Sequence, residues 1–331
     1  MTFLARLRPD NFTLLLVAMV TLGSVLPVRG QFAQGFDLAT QLAIALLFFL
    51  HGARLPREVV FRGLTHWRLH LTVLASTYVL FPVLGLAAGL LAPTIITPMM
   101  ATGILFLCCL PSTIQSSIAF TSIARGNVPA AVCAASASNL IGVLVTPLLV
   151  GVLMSANGGG ISLGSIKSIV LQILVPFVVG QALHPLLGAW AQRNRKWLGM
   201  VDRSSILMVV YGAFSEAVVH GLWRQLSPAN LTSLVAVNIL LLVLVLGATT
   251  WAARSMGFSR EDEITIVFCG SKKSLASGVP IANILFPGSA VGMIVLPLML
   301  FHQIQLMACA VLARRYARQA PAGDAALKAA E

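Results

Sequence analysis

Charge is what this sequence has least of. Charged residues make up 10% of the 331 residues, only ten are Asp or Glu, and the mean hydropathy is +0.91. A soluble domain carries roughly 25% charged residues, so water is excluded as the main solvent. The polar gaps between apolar runs are short, which excludes a separate soluble domain and leaves one membrane domain over 1–331. Enzyme motifs are missing as well. There is no HExxH, GxSxG, P-loop or GxGxxG in strand context, and His51, His66, His70, His184, His220 and His302 lack paired ligand spacing. No enzyme, metal site or cofactor is expected. The five cysteines (Cys108, Cys109, Cys133, Cys269 and Cys309) are odd in number and all lie in apolar runs, so they read as inert core residues. The formal charge of +12 would point to nucleic acid if the cations formed one patch. They are scattered singly or in small groups, and no nucleic-acid partner is expected.

What is present is a series of apolar runs, at about 12–30, 38–54, 69–91, 98–124, 128–153, 163–187, 203–224, 231–254, 262–285 and 290–313. A spanning helix needs roughly 20 apolar residues, so the chain reads as an all-α integral membrane protein of ten transmembrane helices with the bilayer as its solvent. The N-terminal segment resembles a signal peptide but has no good cleavage site, and reads as the first, uncleaved span. Lys and Arg concentrate in cytoplasmic loops, which tests the span count. Seventeen of the 22 cations fall on one side, only Arg29, Lys167 and Arg224 on the other, and the last two are Lys272 and Lys273. A missed span would scramble that asymmetry. Ten spans in the cell's cytoplasmic (inner) membrane, with both termini in the cytoplasm and a tail at 314–331, follow as the expectation.

The Gly- and Ser-rich segment at 155–165 divides the chain into two groups of five spans, about 12–153 and 163–313. An odd number forces homologous halves into opposite orientations, the inverted repeat of many secondary transporters. The fourth span of each half is unusual. Span four places Pro111 inside an apolar run, followed by Ser112, Thr113, Gln115, Ser116 and Ser117. Proline removes a helical hydrogen bond, and freed backbone at membrane depth must be buried in protein or line a wet cavity. A kinked helix whose hydroxyls bond their own carbonyls is the other reading. Span nine carries Lys272 and Lys273 near its centre, flanked by Ser271 and Ser274, where one lysine costs at least about 2.5–3.5 kcal/mol. Neighbours on a helix point about 100° apart, so both cannot serve one partner unless the helix is interrupted; Gly270, Gly278 and Pro280 supply candidate breaks. A cytoplasmic loop here would reverse the side of Arg314, Arg315 and Arg318.

An intramembrane cation calls for an anionic partner or substrate. Among the acids only Glu216 lies well inside a run, as a lysine counter-ion, a proton carrier or a solvated group near the outer interface. Glu261, Asp262 and Glu263 follow Ser259 at the start of span nine and read as N-terminal capping. His302, Gln303 and Gln305 read as interhelical hydrogen bonders.

The strings LPSTIQSSIAFTSIARGN (110–127), ASASNLIGVLVTPLLVG (135–151) and FCGSKKSLASGVP (268–280) resemble the bile acid:sodium symporter superfamily, in the branch of the seventh member of solute carrier family 10 and its bacterial relatives. The likeness covers roughly 10–315. It implies the bile acid sodium symporter, NhaA-like fold: a panel domain of spans 1, 2, 6 and 7, and a core domain of spans 3–5 and 8–10 in which broken spans four and nine cross. Sodium and an organic anion bind around that crossing in the family, and rocking of core against panel gives alternating access. Position by position the resemblance departs from sodium coupling. Ser116 and Ser117 stand where an Asn ligand is found, Phe268 replaces a glutamate, Lys272 and Lys273 replace a Gln–Asn pair, and Thr77 replaces a glutamine; Ser136, Ser138 and Asn139 match the hydroxyl-bearing span.

Losing the acidic ligand and gaining an ammonium puts like charge where sodium would sit, at a depth where screening is weak. The expectation is a secondary carrier of a small anionic organic solute, in which a lysine replaces the bound cation, with a proton or nothing rather than sodium as coupling ion. A non-transporting regulator of ion homeostasis or of envelope or glycan biosynthesis is the alternative. A channel fits less well, because no ring of charge or repeated filter motif is present.

Overall fold

Prolines and a left-handed glycine decide where the helices stop. The computed structural model describes residues 11–54, 66–155 and 170–319. Most of the 155–165 segment, the cations Arg6, Arg8, Arg57, Arg62, Lys167 and Lys328, and the tail after 319 lie outside them. Among the described residues all regular structure is helical. In chain order it comprises α1 (Asn11–Val25), α2 (Gln31–Arg54), α3 (Trp67–Gly89, containing a π-helical turn at Ser76–Leu80), α4 (Pro98–Cys108), α5 (Ile114–Ile123) and α6 (Val128–Ser155). It continues with α7 (Val170–Ala182), α8 (His184–Arg193), α9 (Arg195–Val219), a single helical turn at Leu222–Gln225, α10 (Pro228–Ser255), α11 (Arg260–Gly270), α12 (Leu275–Leu285) and α13 (Gly288–Arg318).

Five of these, α2, α3, α6, α10 and α13, are each long and apolar enough to cross a bilayer. The run expected at 163–187 does not continue straight. It stops at Ala182 and turns by 91° into α8, because Pro185 stands in the first turn of α8 and can neither donate to the preceding turn nor avoid its carbonyl. The run expected at 203–224 is displaced toward the N-terminus. Its helix α9 begins at Arg195 and ends at Val219, where Gly221 takes φ +85°, a left-handed conformation that closes a helix at little steric cost to glycine.

The helices pack in two groups. α2 lies against α7, α8 and α9, and α1 against α9; in the other group α3, α4, α5, α6, α10, α11, α12 and α13 pack around the two interrupted segments. The groups meet where α9 lies against α12 and α13. Within the first group the closest approach is glycine on backbone: a Cβ at Gly52 would strike the carbonyl oxygen of Phe177, and one at Gly180 that of Phe49. Either Gly52→Ala or Gly180→Ala must push α2 and α7 apart, an overpacking cost of about 1–3 kcal/mol. A clearly lower melting temperature and reduced membrane abundance of each variant are expected.

Contacts between helix ends sort them into two sets. Arg54 pairs with Asp202 at 2.5 Å, Arg68 donates to the Met256 carbonyl, and Arg260 donates to the Tyr316 and Gln319 carbonyls. At the opposite ends Tyr211 donates to the Leu26 carbonyl and Trp223 to Ser24. Arg54, Arg68 and Arg260 are thus each engaged at a helix end.

Candidate functional site

Three interruptions of helical backbone converge on Lys272 and Lys273. In α3, Phe81 donates to Ser76 rather than to Thr77, the π-helical pairing, and Pro82 follows at once without an N–H. The extra residue leaves the Thr77 carbonyl without a helical donor, as π-turns do, often at functional sites. In span four, α4 ends at Cys108 and α5 begins at Ile114, with Pro111 in the non-helical link between them. In span nine, α11 ends at Gly270 and α12 begins at Leu275.

The two links satisfy each other. Ser274 N–H donates to the Pro111 carbonyl at 2.9 Å. The hydroxyl of Ser112 donates to the Cys269 carbonyl at 2.6 Å, that of Ser117 to Phe268 at 3.1 Å, and that of Ser76 to Gly270 at 2.9 Å. On the span-four side Thr146 donates to the Cys109 carbonyl, Asn139 to the Ser112 carbonyl, and Ser112 N–H to Ser138. The hydroxyls of Ser112 and Ser117 thus bond the carbonyls at the end of α11 and not their own turns, so the run at 98–124 is a broken helix and not merely a kinked one. Buried backbone groups at bilayer depth must find such partners. Ser274 caps α12 by accepting from Ser277 N–H, and Ser277 donates in turn to Asn139.

Lys273 completes this crossing. Its side chain is fully buried, and Nζ donates to Thr77 O at 2.9 Å, Cys108 O at 2.8 Å and Leu110 O at 2.7 Å, with the Phe81 ring centroid 4.0 Å away. Three carbonyls and a ring face form a cage for a monovalent cation, at the C-terminal end of α4 where the helix dipole is negative. Gln305 of α13 grips the same residue from behind, accepting from Lys273 N–H at 3.0 Å and donating to its carbonyl at 3.1 Å. Gln305→Leu leaves that buried peptide with neither bond, and a destabilisation of about 1–3 kcal/mol is expected in thermal melting.

Lys272 is different. It is also fully buried, but Nζ has no hydrogen-bond partner among the described residues; it faces the rings of Phe120 at 4.4 Å and Phe268 at 5.7 Å. The hydroxyls of Ser271 and Thr121 are likewise buried and unpartnered. α5 and α12 both begin at the crossing, so their positive N-terminal ends face it.

Of the other residues singled out in the sequence, Thr113 and Ser116 share a hydrogen bond at 2.7 Å, Ser136 is buried on α6, and Gln115 is exposed on α5. Gly270 does end a helix, but Gly278 and Pro280 lie inside α12. Gly278 serves close packing instead: a Cβ there would collide with the Leu110 and Leu298 side chains. Glu216 pairs with neither lysine. It is exposed near the end of α9, and its carboxylate lies over Gly288 at the N-terminus of α13, where negative charge is favoured. Glu263 does more than cap α11: it accepts from Arg254 Nε and Nη2 at 3.0 Å and from the Tyr316 hydroxyl at 2.8 Å. The Thr77 carbonyl, Phe81 and Phe120 were not among the residues the sequence pointed to as contacts of the lysines. Pro82, five residues after Thr77, was the available signal for the first.

A family model, the SBF-like CPA transporter family, matches residues 10–318. An uncharacterized protein of Pseudomonas aeruginosa is 58% identical, covering 97% of both chains, and the Escherichia coli protein YfeH is 56% identical over 94% of this chain and 93% of its own. Sodium/bile acid cotransporter 7 of Danio rerio is 27% identical over 94% of this chain and 95% of its own. With the match extending over nearly all of its length, this chain belongs to the SBF-like CPA transporter family.

Proposed function

We propose that the protein is a secondary transporter of an anionic organic solute that works by alternating access, with Lys272 as the group that meets the anion and Lys273 as a tethered substitute for a bound sodium ion. Counting α4 with α5 and α11 with α12 as one broken span each gives ten spans with α1, α2, α3, α6, α7, α9, α10 and α13. These form two inverted five-span repeats with both termini on the cytoplasmic, arginine-rich side. The group containing the crossing rocks against α1, α2, α7 and α9.

The observation that carries this reading is the buried ammonium of Lys272, which has no acceptor among the described residues in a crossing where Ser112, Ser117 and Asn139 are otherwise engaged. An uncompensated charge at such depth is costly, and an anionic solute offers it a partner. The positive ends of α5 and α12 add to the same potential. Lys273, by contrast, already has its three acceptors, and its ammonium would repel a sodium ion beside it. Coupling then falls to a proton or to no ion.

Purified protein in proteoliposomes, offered taurocholate and short-chain carboxylates as labelled probes, provides the test. At least one anion is expected to accumulate, in choline medium as readily as in sodium medium. Transport confined to neutral or cationic solutes would overturn the reading.

A further inference from the structure

The turn from α7 into α8 leaves an amphipathic helix with nothing among the described residues to cover its outer face. α8 runs at 91° to α7, so with α7 crossing the membrane α8 lies near its plane. One side faces the protein: Gly188 and Ala191 are buried, and Ala191 and Leu198 pack with Leu50 of α2. The other side carries Leu186, Trp190 and Arg193 at helical spacing, and Trp197 follows in the first turn of α9, with Leu186 77%, Trp190 44% and Trp197 55% exposed. Arg193, Arg195 and Lys196 are all exposed and form no ion pair among the described residues, and there is no Asp or Glu between His184 and Val201. The nearest acid in sequence, Asp202, is held by Arg54.

We infer that α8 and the first turn of α9 form a docking surface for anionic phospholipid headgroups of the leaflet on this side, with Leu186, Trp190 and Trp197 at the acyl boundary and the three cations on phosphates. Tryptophan favours the interface between chains and headgroups. Basic residues at that level attract anionic lipid, and a helix lying in the plane with an apolar stripe beside cations is the form such binding takes. The site is independent of the solute carried.

The test uses the full chain in mixed vesicles of phosphatidylcholine and phosphatidylglycerol, followed by extraction and native mass spectrometry of retained lipid. The native protein is expected to retain phosphatidylglycerol selectively. A variant with Arg193→Gln, Arg195→Gln and Lys196→Gln is expected to retain about tenfold less while melting as the native protein does in pure phosphatidylcholine. Arg314→Gln with Arg315→Gln and Arg318→Gln, which removes as much charge elsewhere on the same side, should retain it normally. Equal retention by native protein and first variant, or equal loss in both variants, would overturn the site. Should the first variant fold poorly, raising ionic strength on native protein decides: retention unaffected by salt contradicts it.

Discussion

Replacing Lys273 with alanine should destabilise the protein by about 3 kcal/mol or more, the scale for removing one member of a buried charged contact, and abolish transport as a consequence. The substitution orphans the carbonyls of Thr77, Cys108 and Leu110 together, each of which now accepts from one ammonium at 2.7–2.9 Å. None can turn back to its own helix: a π-turn in α3 frees the first, and the chain leaves helical geometry around the other two. A small cation admitted to the emptied cage has three oxygens waiting for it. The Lys273→Ala protein is therefore expected to melt higher in sodium or potassium chloride than in choline chloride at equal ionic strength. Differential scanning fluorimetry in the three salts measures this, and a variant that melts like the native protein in all three would show that the cage does not hold the crossing together.

Lys272→Met should do the reverse. Methionine is close in length, its thioether suits the faces of Phe120 and Phe268, and replacing an unpaired buried charge by an apolar group is neutral or stabilising. The variant is expected to melt at or above the native temperature and to insert in the membrane at normal abundance. Transport efficiency for an anionic solute should nevertheless fall by roughly 100-fold, the equivalent of losing one or two charge-assisted hydrogen bonds to the bound anion. Uptake by proteoliposomes normalised to protein content checks it. Normal uptake by Lys272→Met would remove this lysine from the solute path.

The two adjacent lysines show how far sequence could go. Pro111 and the paired cations pointed to breaks in the fourth and ninth runs, and an angle of about 100° between helical neighbours meant that both lysines could not serve one partner unless the helix was interrupted there. Which lysine is held by carbonyls depends on where the other elements end: Lys273 meets a carbonyl released in α3, and Lys272 meets none among the described residues. The serines were legible as polar groups in an apolar run, but whether they face a solute or mend backbone depends on contacts 151 residues apart in the chain, as from Ser117 to Phe268. Glu216 looked central because hydropathy started its run at Arg203. The helix begins at Arg195, tolerating charge in its first turns beside α8, and this moves Glu216 to the far end. Hydropathy was also blind to direction: the apolar run through Leu183 continues unbroken in composition while the backbone turns by 91°. Gly278 and Pro280 were read as breaks because glycine and proline weaken a helix, yet a first turn capped by Ser274 and packing against Leu110 and Leu298 hold α12 together through both.

The claim that a lysine occupies the place of sodium is tested most directly on the unmodified protein. Its melting temperature in detergent should be the same in sodium chloride and in choline chloride at equal ionic strength, because Lys273 already fills the cage. A concentration-dependent rise in melting temperature with sodium, absent with choline, would contradict it.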